Sequence, residues 1–415
     1  MKKKIGMAMC AALAAGMVFG SMSAMASDDV LTIEFFQQKG EEGPQKGYLA
    51  LIDKFNEENP DVKIEMNMVP DAVTVLTSRI SSGDIPVLFS DFPTQTQFAQ
   101  KVANGYVMDL SDQEFLKNVD ESSMTMTQQD DGKYYALPYS HNYMGVYYNM
   151  EMFEDNGLEI PKTWAEFTAV CDKLQEAGIT PIGLAGKDPG RVGHAFQTMM
   201  VAWAPTGVEK IVSVINGEAQ LEGDEEIAEV FNKMNTVLDY ANDDALALSD
   251  TNCYENFVNG EYAMTITGSY AMGTIQSLNP DMKLGVFALP NDTEETSTIL
   301  AGMDISICVS AMASPEEQEA ACRFLDFLAQ PENAQVFNGY DGAPSSIVGV
   351  EVANEEISSV VDMIGAGKTH DWMASYMNSN VTNDLYNVVQ GFWADRDVDA
   401  VLKNMDESIA VTSAE

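Results

Sequence analysis

The sequence predicts an α/β protein with two lobes, each a mostly parallel sheet flanked by helices. The chain has 415 residues, and at roughly 100–200 residues per domain this length predicts two or three domains or lobes. Hydrophobic residues make up 46% of the chain, which is enough to build packed cores. Apolar residues alternate between strand spacing and helix spacing in both halves, a pattern typical of sheets covered by helices.

The first third of the chain alternates strands and helices. Tyr48, Leu51, Ile52 and Phe55 recur at helical spacing and predict an amphipathic helix that ends before Pro60. Strands are predicted at 31–36, 62–68 and 86–89, and a second helix at 73–80. This order predicts parallel neighbouring strands, because each helix carries the chain back to the same edge of the sheet.

The remainder of the chain repeats this pattern. Thr163 with Glu166 has the spacing of a capping box and predicts a helix start, and Ser314 with Glu317 predicts another. Strands are predicted at 145–149, 181–185, 262–267, 284–289 and 305–309, and a last helix at 398–405. Residues 186–197 are rich in glycine, charge and histidine, so we expect a loop there.

The first 26 residues have the pattern of a signal peptide. Three lysines precede an uncharged apolar stretch, and Ala24-Met25-Ala26 supplies a small-x-small cleavage pattern. Cys10 lies too early for a lipid-anchored cysteine, so a lipobox is not supported. We therefore expect an extracytoplasmic protein, either periplasmic or held at the cell surface.

The formal net charge of −42 excludes some partners. A surface this acidic repels phosphate backbones and anionic headgroups, so we expect no nucleic-acid or peripheral membrane binding. The three histidines have no metal-binding spacing, and nucleotide-binding and nucleophile motifs do not occur. We expect no cofactor, no metal and no enzymatic activity. Four cysteines outside the leader match no zinc or redox spacing and are expected to be buried free thiols: Cys171, Cys253, Cys308 and Cys322.

Several segments, taken in chain order, carry a family resemblance. They read FNEENP at 55–60, SGDIP at 82–86, DGKYYALPY at 131–139, PKTW at 161–164, FVNGEYAM at 257–264 and GSY at 268–270. Together they resemble the extracellular solute-binding proteins of carbohydrate ABC importers, although Val87 stands where that family usually has Asp.

The resemblance implies a two-lobed periplasmic-binding-protein fold of type II with hinge crossings. The crossings are expected near 139–143, 285–290 and 338–344. The expected N-terminal lobe comprises 27–140 plus 290–338, and the C-terminal lobe 141–289 plus 339–415. The resemblance also implies a monomer that binds a carbohydrate and delivers it to the membrane permease subunits.

Sugar recognition guides the choice of site residues. Aromatic faces pack against the C–H patches of a sugar, and planar polar side chains bind its hydroxyls. Such contacts are expected in loops at strand ends, where open α/β sheets bind ligands. Together with the resemblance, this gives these candidates: Gln37, Gln38, Ser90, Asp91, Phe92, His141, Asn142, Trp203, Tyr270, Asp304 and Trp372. Tyr270 is the foremost stacking residue and Asp91 the foremost hydroxyl-binding acid; Asp91 could instead cap a helix, and Trp203 could lie in a helix core. Asp188, Arg191 and His194 are weaker candidates.

The most specific function predicted is binding of a neutral sugar or oligosaccharide. A polyamine or other small solute bound by the same fold remains an alternative, because an acidic, aromatic cleft suits both ligands. A secreted glycoside hydrolase is the enzymatic alternative, since paired carboxylates suffice for that chemistry.

Overall fold

The computed structural model describes residues 30–304, 306–351 and 357–413. The predicted signal peptide lies outside these residues. Within these ranges, no helix is both long enough and apolar enough to cross a membrane.

The elements follow one another along the chain as strands and helices. The strands are β1 (Leu31–Phe36), β2 (Val62–Asn67), β3 (Leu88–Asp91), β4 (His141–Asn149), β5 (Thr180–Gly183), β6 (Tyr262–Gly268), β7 (Leu284–Phe287), β8 (Ile299–Met303), β9 (Ser306–Val309) and β10 (Thr369–His370). The helices are α1 (Glu42–Glu58), α2 (Ala72–Ser82), α3 (Thr96–Ala103), α4 (Glu121–Thr127), α5 (Met150–Asp155), α6 (Trp164–Glu176), α7 (Pro189–Trp203), α8 (Gly207–Ile215), α9 (Glu225–Asp239), α10 (Asp250–Val258), α11 (Met272–Leu278), α12 (Pro315–Leu328), α13 (Pro331–Asp341), α14 (Ser358–Gly365), α15 (Ser379–Asp395) and α16 (Val398–Thr412).

The first lobe is built on a sheet of order β2-β1-β3-β9. β1 runs parallel to β2 and β3, whereas β9 runs antiparallel to β3. Neighbouring residues of β1 point to opposite faces: Phe35 packs with Tyr48 of α1 and Phe324 of α12, and Phe36 packs on the other face with Leu76 of α2. The mostly parallel sheet covered on both faces is confirmed for this lobe.

The second lobe is built on a sheet of order β10-β8-β4-β6-β5, with β7 also paired to β4. The prediction of a mostly parallel sheet is wrong here, because β4 runs antiparallel to β6, β7 and β8. Part of the reason is topological: β4 carries the chain out of the first lobe and β8 carries it back, so these neighbours run in opposite directions. Two apolar clusters, which include Phe196 and Tyr147 respectively, cover this sheet.

Core membership and strand pairing indicate where the chain passes between the lobes. Tyr139 lies in the first core and Tyr143 in the second, within the expected crossing at 139–143. The return occurs between β8 and β9, whereas 285–290 lies within the second lobe. Residues 338–344 also lack a crossing: Val350 still packs against the first core and Ile357 belongs to the second, with 352–356 between them outside the described residues.

The local signals of helix starts are partly confirmed. Capping boxes form at Thr163 before α6 and at Ser314 before α12. The loop predicted at 186–197 is instead largely helix α7, whose start is capped by the Asp188 carboxylate accepting from the Gly190 N–H. The glycines of this segment suggested a loop rather than a helix. Glycine is required at position 193 because a Cβ there would lie 2.1 Å from the Tyr386 ring.

Candidate ligand-binding site

A cavity of about 600 Å³ lies between the two lobes, within the size range of ligand sites. Both lobes contribute to its lining: Gln38, Lys39, Gly40, Glu41, Phe92, Thr94, Gln95, Asn142, Asp188, Gly190, Arg191, His194, Tyr270, Met303, Asp304, Trp372, Ala374, Ser375 and Tyr386. The site is thus a cleft lined by both lobes.

The first-lobe wall of the cavity is mainly polar. Gln38, Lys39 and Glu41 follow β1, and Thr94 and Gln95 follow β3. β1 and β3 are parallel neighbours, so their carboxyl ends open at the same edge of the sheet, where open α/β sheets bind ligands. We call these five residues the polar wall.

A buried ion pair joins the polar wall to the returning crossing. The Lys39 ammonium lies 2.5 Å from the Asp304 carboxylate, and both residues are buried. Burial works against the charged ammonium, but the Asp304 carboxylate holds the pKa of Lys39 above its ordinary value. The Asp304 backbone N–H donates to the Ser140 carbonyl at 3.0 Å, so the pair is fixed to two crossings at once.

The second-lobe wall is mainly aromatic. Tyr270 follows β6, His194 lies on α7, Trp372 follows β10 and Tyr386 lies on α15. The ring centroids of His194 and Trp372 are 5.3 Å apart, and those of His194 and Tyr270 are 6.0 Å apart. We call these four residues the aromatic wall.

Arg191 supports the aromatic wall from within the cavity. Its guanidinium carbon lies 4.4 Å from the centroid of the Tyr270 ring, a cation–π contact. The same guanidinium forms an ion pair with Asp250 of α10. One face of Tyr270 is therefore occupied by a cation whose charge is already compensated.

His194 is neutral at physiological pH. Burial, together with the charge of Arg191, lowers its pKa to about 3. Its Nδ1 lies 3.5 Å from a guanidinium nitrogen of Arg191 and 3.3 Å from the Tyr270 hydroxyl. Since arginine can only donate, Nδ1 is the acceptor and the proton of the neutral ring is on Nε2. His194 can thus donate a hydrogen bond from Nε2.

The structure brings six predicted candidates together at the cavity. They are Gln38, Phe92, Asn142, Tyr270, Asp304 and Trp372. The weaker candidates Asp188, Arg191 and His194 line it too, because α7 begins at the cavity.

Gln37, Ser90 and Asp91 are not among the lining residues. The side-chain oxygens of Gln37 and Ser90 accept hydrogen bonds from backbone N–H groups at 38–39, at 2.9 Å and 2.8 Å. The Asp91 carboxylate pairs with Lys101 and accepts from the next backbone N–H at 2.9 Å. All three are buried supports of the polar wall, so the expectation that Asp91 faces the ligand is wrong.

His141 and Trp203 also lie away from the lining. His141 is buried, with Nε2 2.9 Å from the Ser123 hydroxyl. Trp203 is a core residue whose indole N–H donates to the Pro290 carbonyl at 3.1 Å, and its ring lies 4.9 Å from that of Trp164. The helix-core alternative is the correct one for Trp203.

Sequence reasoning missed several lining residues. Examples are Lys39, Glu41, Thr94, Gln95 and Tyr386. The first four had a usable signal, since they follow directly on the loops that were searched. Tyr386 had none, because it lies within a helix whose apolar spacing indicates only packing.

The lobes also touch across the cleft. The Ser375 hydroxyl donates to the Thr94 hydroxyl at 3.2 Å, and the Gln97 amide donates to the Ser379 hydroxyl. Thr94 and Ser375 both line the cavity. The structure therefore has the lobes in contact on this side of the site.

The sequence profile described as bacterial extracellular solute-binding protein matches residues 50–358. The chain belongs to this family. A relative of this solute-binding protein is the multiple sugar-binding protein of Streptococcus mutans, 25% identical over 364 residues that cover 86% of each chain. Another is the sn-glycerol-3-phosphate-binding periplasmic protein of Salmonella typhimurium, 27% identical over 355 residues that cover 79% of this chain and 77% of the relative.

The fold of this solute-binding protein is shared with solved structures. RafE in complex with raffinose superposes with a TM-score of 0.81 at 24% identity, over 92% of this chain and all of RafE. The two-lobed α/β fold predicted from the sequence is thereby confirmed.

Proposed function

We propose that the protein binds a neutral sugar or oligosaccharide in the interlobe cavity and delivers it to the permease of an ABC importer. The observation that carries the proposal is the pairing of an aromatic wall with a polar wall across one cavity. A sugar needs both, because its C–H patches pack on rings while its hydroxyls need donors and acceptors.

The hydrogen-bonding capacity of the cavity fits a ligand that both donates and accepts. Ser269 donates to the Asn142 side-chain oxygen at 2.6 Å, which leaves the Asn142 amide as a donor. The Gln38 amide donates to the Ser90 carbonyl, which leaves the Gln38 side-chain oxygen as an acceptor. Sugar hydroxyls match both kinds of group, whereas a polyamine only donates.

Charge compensation supports a neutral ligand over an anionic one. Arg191 is paired with Asp250, and Lys39 is paired with Asp304. An anion such as sn-glycerol-3-phosphate, which the name of the Salmonella typhimurium relative specifies, would meet no uncompensated cation among these groups. Glu41 and Asp188 add negative charge to the lining.

The remaining expectations form part of the same proposal. We propose export through a cleavable leader and a monomeric carrier without enzymatic activity. In place of the lobe bounds expected from the sequence, we propose lobes divided as 30–140 with 306–351 and 141–304 with 357–413. Ligand binding favours the closed lobes only through contacts that both walls make together. The Asp304 carboxylate of the cavity forms an ion pair with Lys39. A carboxylate held in this way is better suited to binding a sugar hydroxyl than to transferring a proton in hydrolysis.

Isothermal titration calorimetry with raffinose, spermidine and sn-glycerol-3-phosphate tests this proposal. We expect saturable binding of raffinose with a stoichiometry of about one, no binding of the other two, and no reducing sugar released on long incubation. Tighter binding of spermidine or of the phosphate would contradict the neutral-sugar assignment. Release of reducing sugar would favour the hydrolase.

A further inference from the structure

Behind the polar wall lies a second buried carboxylate, Asp341, that the proposed contacts do not use. It ends α13 and is 5% exposed. Its Oδ2 has no hydrogen-bond partner among the described residues. A buried carboxylate without full hydrogen bonding is costly when ionised, so the neighbouring charged groups decide whether it carries a proton.

Charged groups from several elements face this carboxylate. Lys39 and Glu41 approach from the loop after β1, and Asp304 from the returning crossing. Three tyrosines also interact with it, namely Tyr48 of α1, Tyr139 at the first crossing and Tyr143 of β4. Burial raises the pKa of each tyrosine, so they stay neutral and leave one cation among three carboxylates.

These effects together keep Asp341 protonated up to a higher pH than an ordinary aspartate. Burial raises the pKa of Asp341 to about 7, the Lys39 ammonium and a hydrogen bond with Ser140 oppose this rise, and Asp304 and Glu41 add to it. Lys39 therefore interacts with two carboxylates, through an ion pair with Asp304 and by charge attraction with Asp341. An ionised Asp341 competes with Asp304 for the Lys39 ammonium and repels the Asp304 carboxylate.

We propose that Asp341 is a positioning residue that sets the Lys39–Asp304 pair by taking up a proton, and that sugar binding favours the protonated form. The second half rests on the proposed function. Lys39, Glu41 and Asp304 line the cavity, and a sugar that fills it displaces the water that screens them. Loss of this water deepens the burial of Asp341, which is the largest cause of its raised pKa, and so makes an ionised Asp341 more costly in the complex than in the free protein.

Thermodynamic linkage gives the sign and size of the effect. If binding prefers protonated Asp341, the complex takes up a proton and affinity falls as the pH rises through 7. A difference of one pKa unit between free and bound protein corresponds to about tenfold in affinity between the two pH limits. We therefore expect raffinose to bind about three- to tenfold more weakly at pH 8.5 than at pH 5.5.

The first experiment needs no ligand. Urea unfolding is followed from pH 4.5 to 8 for the wild type, Asp341→Asn and the exposed control Asp326→Asn. An aspartate whose pKa is about 4 when unfolded and about 7 when folded loses stability as the pH rises between these values. Asp341→Asn should thus gain stability relative to the wild type over this range, while Asp326→Asn should not. If the free energy of unfolding of the wild type and of Asp341→Asn changed with pH in the same way, the inference would be overturned. Asp341→Leu replaces the asparagine variant if that variant does not fold.

The second experiment is calorimetry with raffinose at pH 5.5 and 8.5. The wild type and Asp326→Asn should lose affinity at the higher pH, and Asp341→Asn should bind equally at both. Equal affinities for the wild type would overturn the inference but leave the proposed function intact. Absence of raffinose binding at both pH values would contradict the proposed function for this sugar, and the unfolding experiment alone would then decide the role of Asp341.

Discussion

The two walls of the cavity are built in different ways. The polar wall consists of loop residues held by buried charges, above all the pair Lys39–Asp304. The aromatic wall consists of rings from strand ends and helices, held by ring contacts and by Arg191 over Tyr270. The difference teaches that the polar wall depends on electrostatics for its shape, whereas the aromatic wall depends mainly on packing. In our proposal the second lobe supplies most of the stacking area and the first supplies orientation.

The largest expected effect is on the stability of the polar wall. Asp304→Ala leaves the buried Lys39 ammonium without its partner and should lower the free energy of unfolding by about 3–5 kcal/mol. Lys39→Met combined with Asp304→Leu removes both charges and should recover most of the loss. Urea unfolding of the single and double variants measures this coupling. Additive losses would show that the wall does not depend on the ion pair.

The next effect is on the affinity of the aromatic wall. Tyr270→Ala removes a central ring and should weaken raffinose binding by about 30-fold, equivalent to about 2 kcal/mol. Its loss of stability should be smaller than that of Asp304→Ala, because Tyr270 is half-buried and uncharged. Calorimetry measures the loss of raffinose affinity, and urea unfolding measures the loss of stability. Tyr376→Ala removes a half-exposed tyrosine outside the lining and should bind raffinose normally; equal losses for both variants would refute a specific role of Tyr270.

Acid should weaken the aromatic wall through His194. The pKa of this imidazole is about 3 in the folded protein and about 6.5 when unfolded. Its contribution is therefore complete above pH 6.5 and is lost as the pH falls toward 3. Between pH 7 and pH 4, the wild type should lose more stability in urea than His194→Gln. Identical losses would mean that His194 is charged within the wall.

The smallest effect concerns the contact between the lobes. Thr94→Val removes the acceptor of the Ser375 hydroxyl and should cost about 1 kcal/mol in the closed state, which is about fivefold in the rate of raffinose release. Stopped-flow dissociation measures this rate. Thr77→Val, at an exposed position of α2, serves as the control, and equal release rates for both variants would mean that the contact does not hold the lobes together.

The sequence predicted the first lobe better than the second. An apolar run predicts β1, alternating apolar residues predict β2, and a turn signal precedes the predicted β3. These strands lie within two residues of the predicted bounds. Helix α7 was missed because its glycines suggest a loop. Gly193 is instead needed for the close approach of the Tyr386 ring, and the sequence does not show that contact. The later crossings were misplaced because strand pairing between distant segments, such as β4 with β8, has no local signal.

The same limit applies to the site. The predicted residues Tyr270 and Trp372 both line the cavity. The family resemblance singles out Tyr270 through the GSY segment, and Trp372 lies in a predicted loop flanked by glycine. Asp91 was wrongly preferred, because the sequence does not reveal that Lys101 lies beside it. Compensation of charge depends on how side chains pack, and in the pairs Lys39–Asp304 and Arg191–Asp250 only the fold brings the partners together.

Tryptophan fluorescence tests the aromatic wall most directly. Of the four tryptophans, Trp372 lines the cavity, whereas Trp164, Trp203 and Trp393 do not. Titration with raffinose should give a saturable change in emission that persists in Trp203→Phe and disappears in Trp372→Phe. Persistence of the change in Trp372→Phe, or its loss in Trp203→Phe alone, would contradict the account that the sugar packs on this wall.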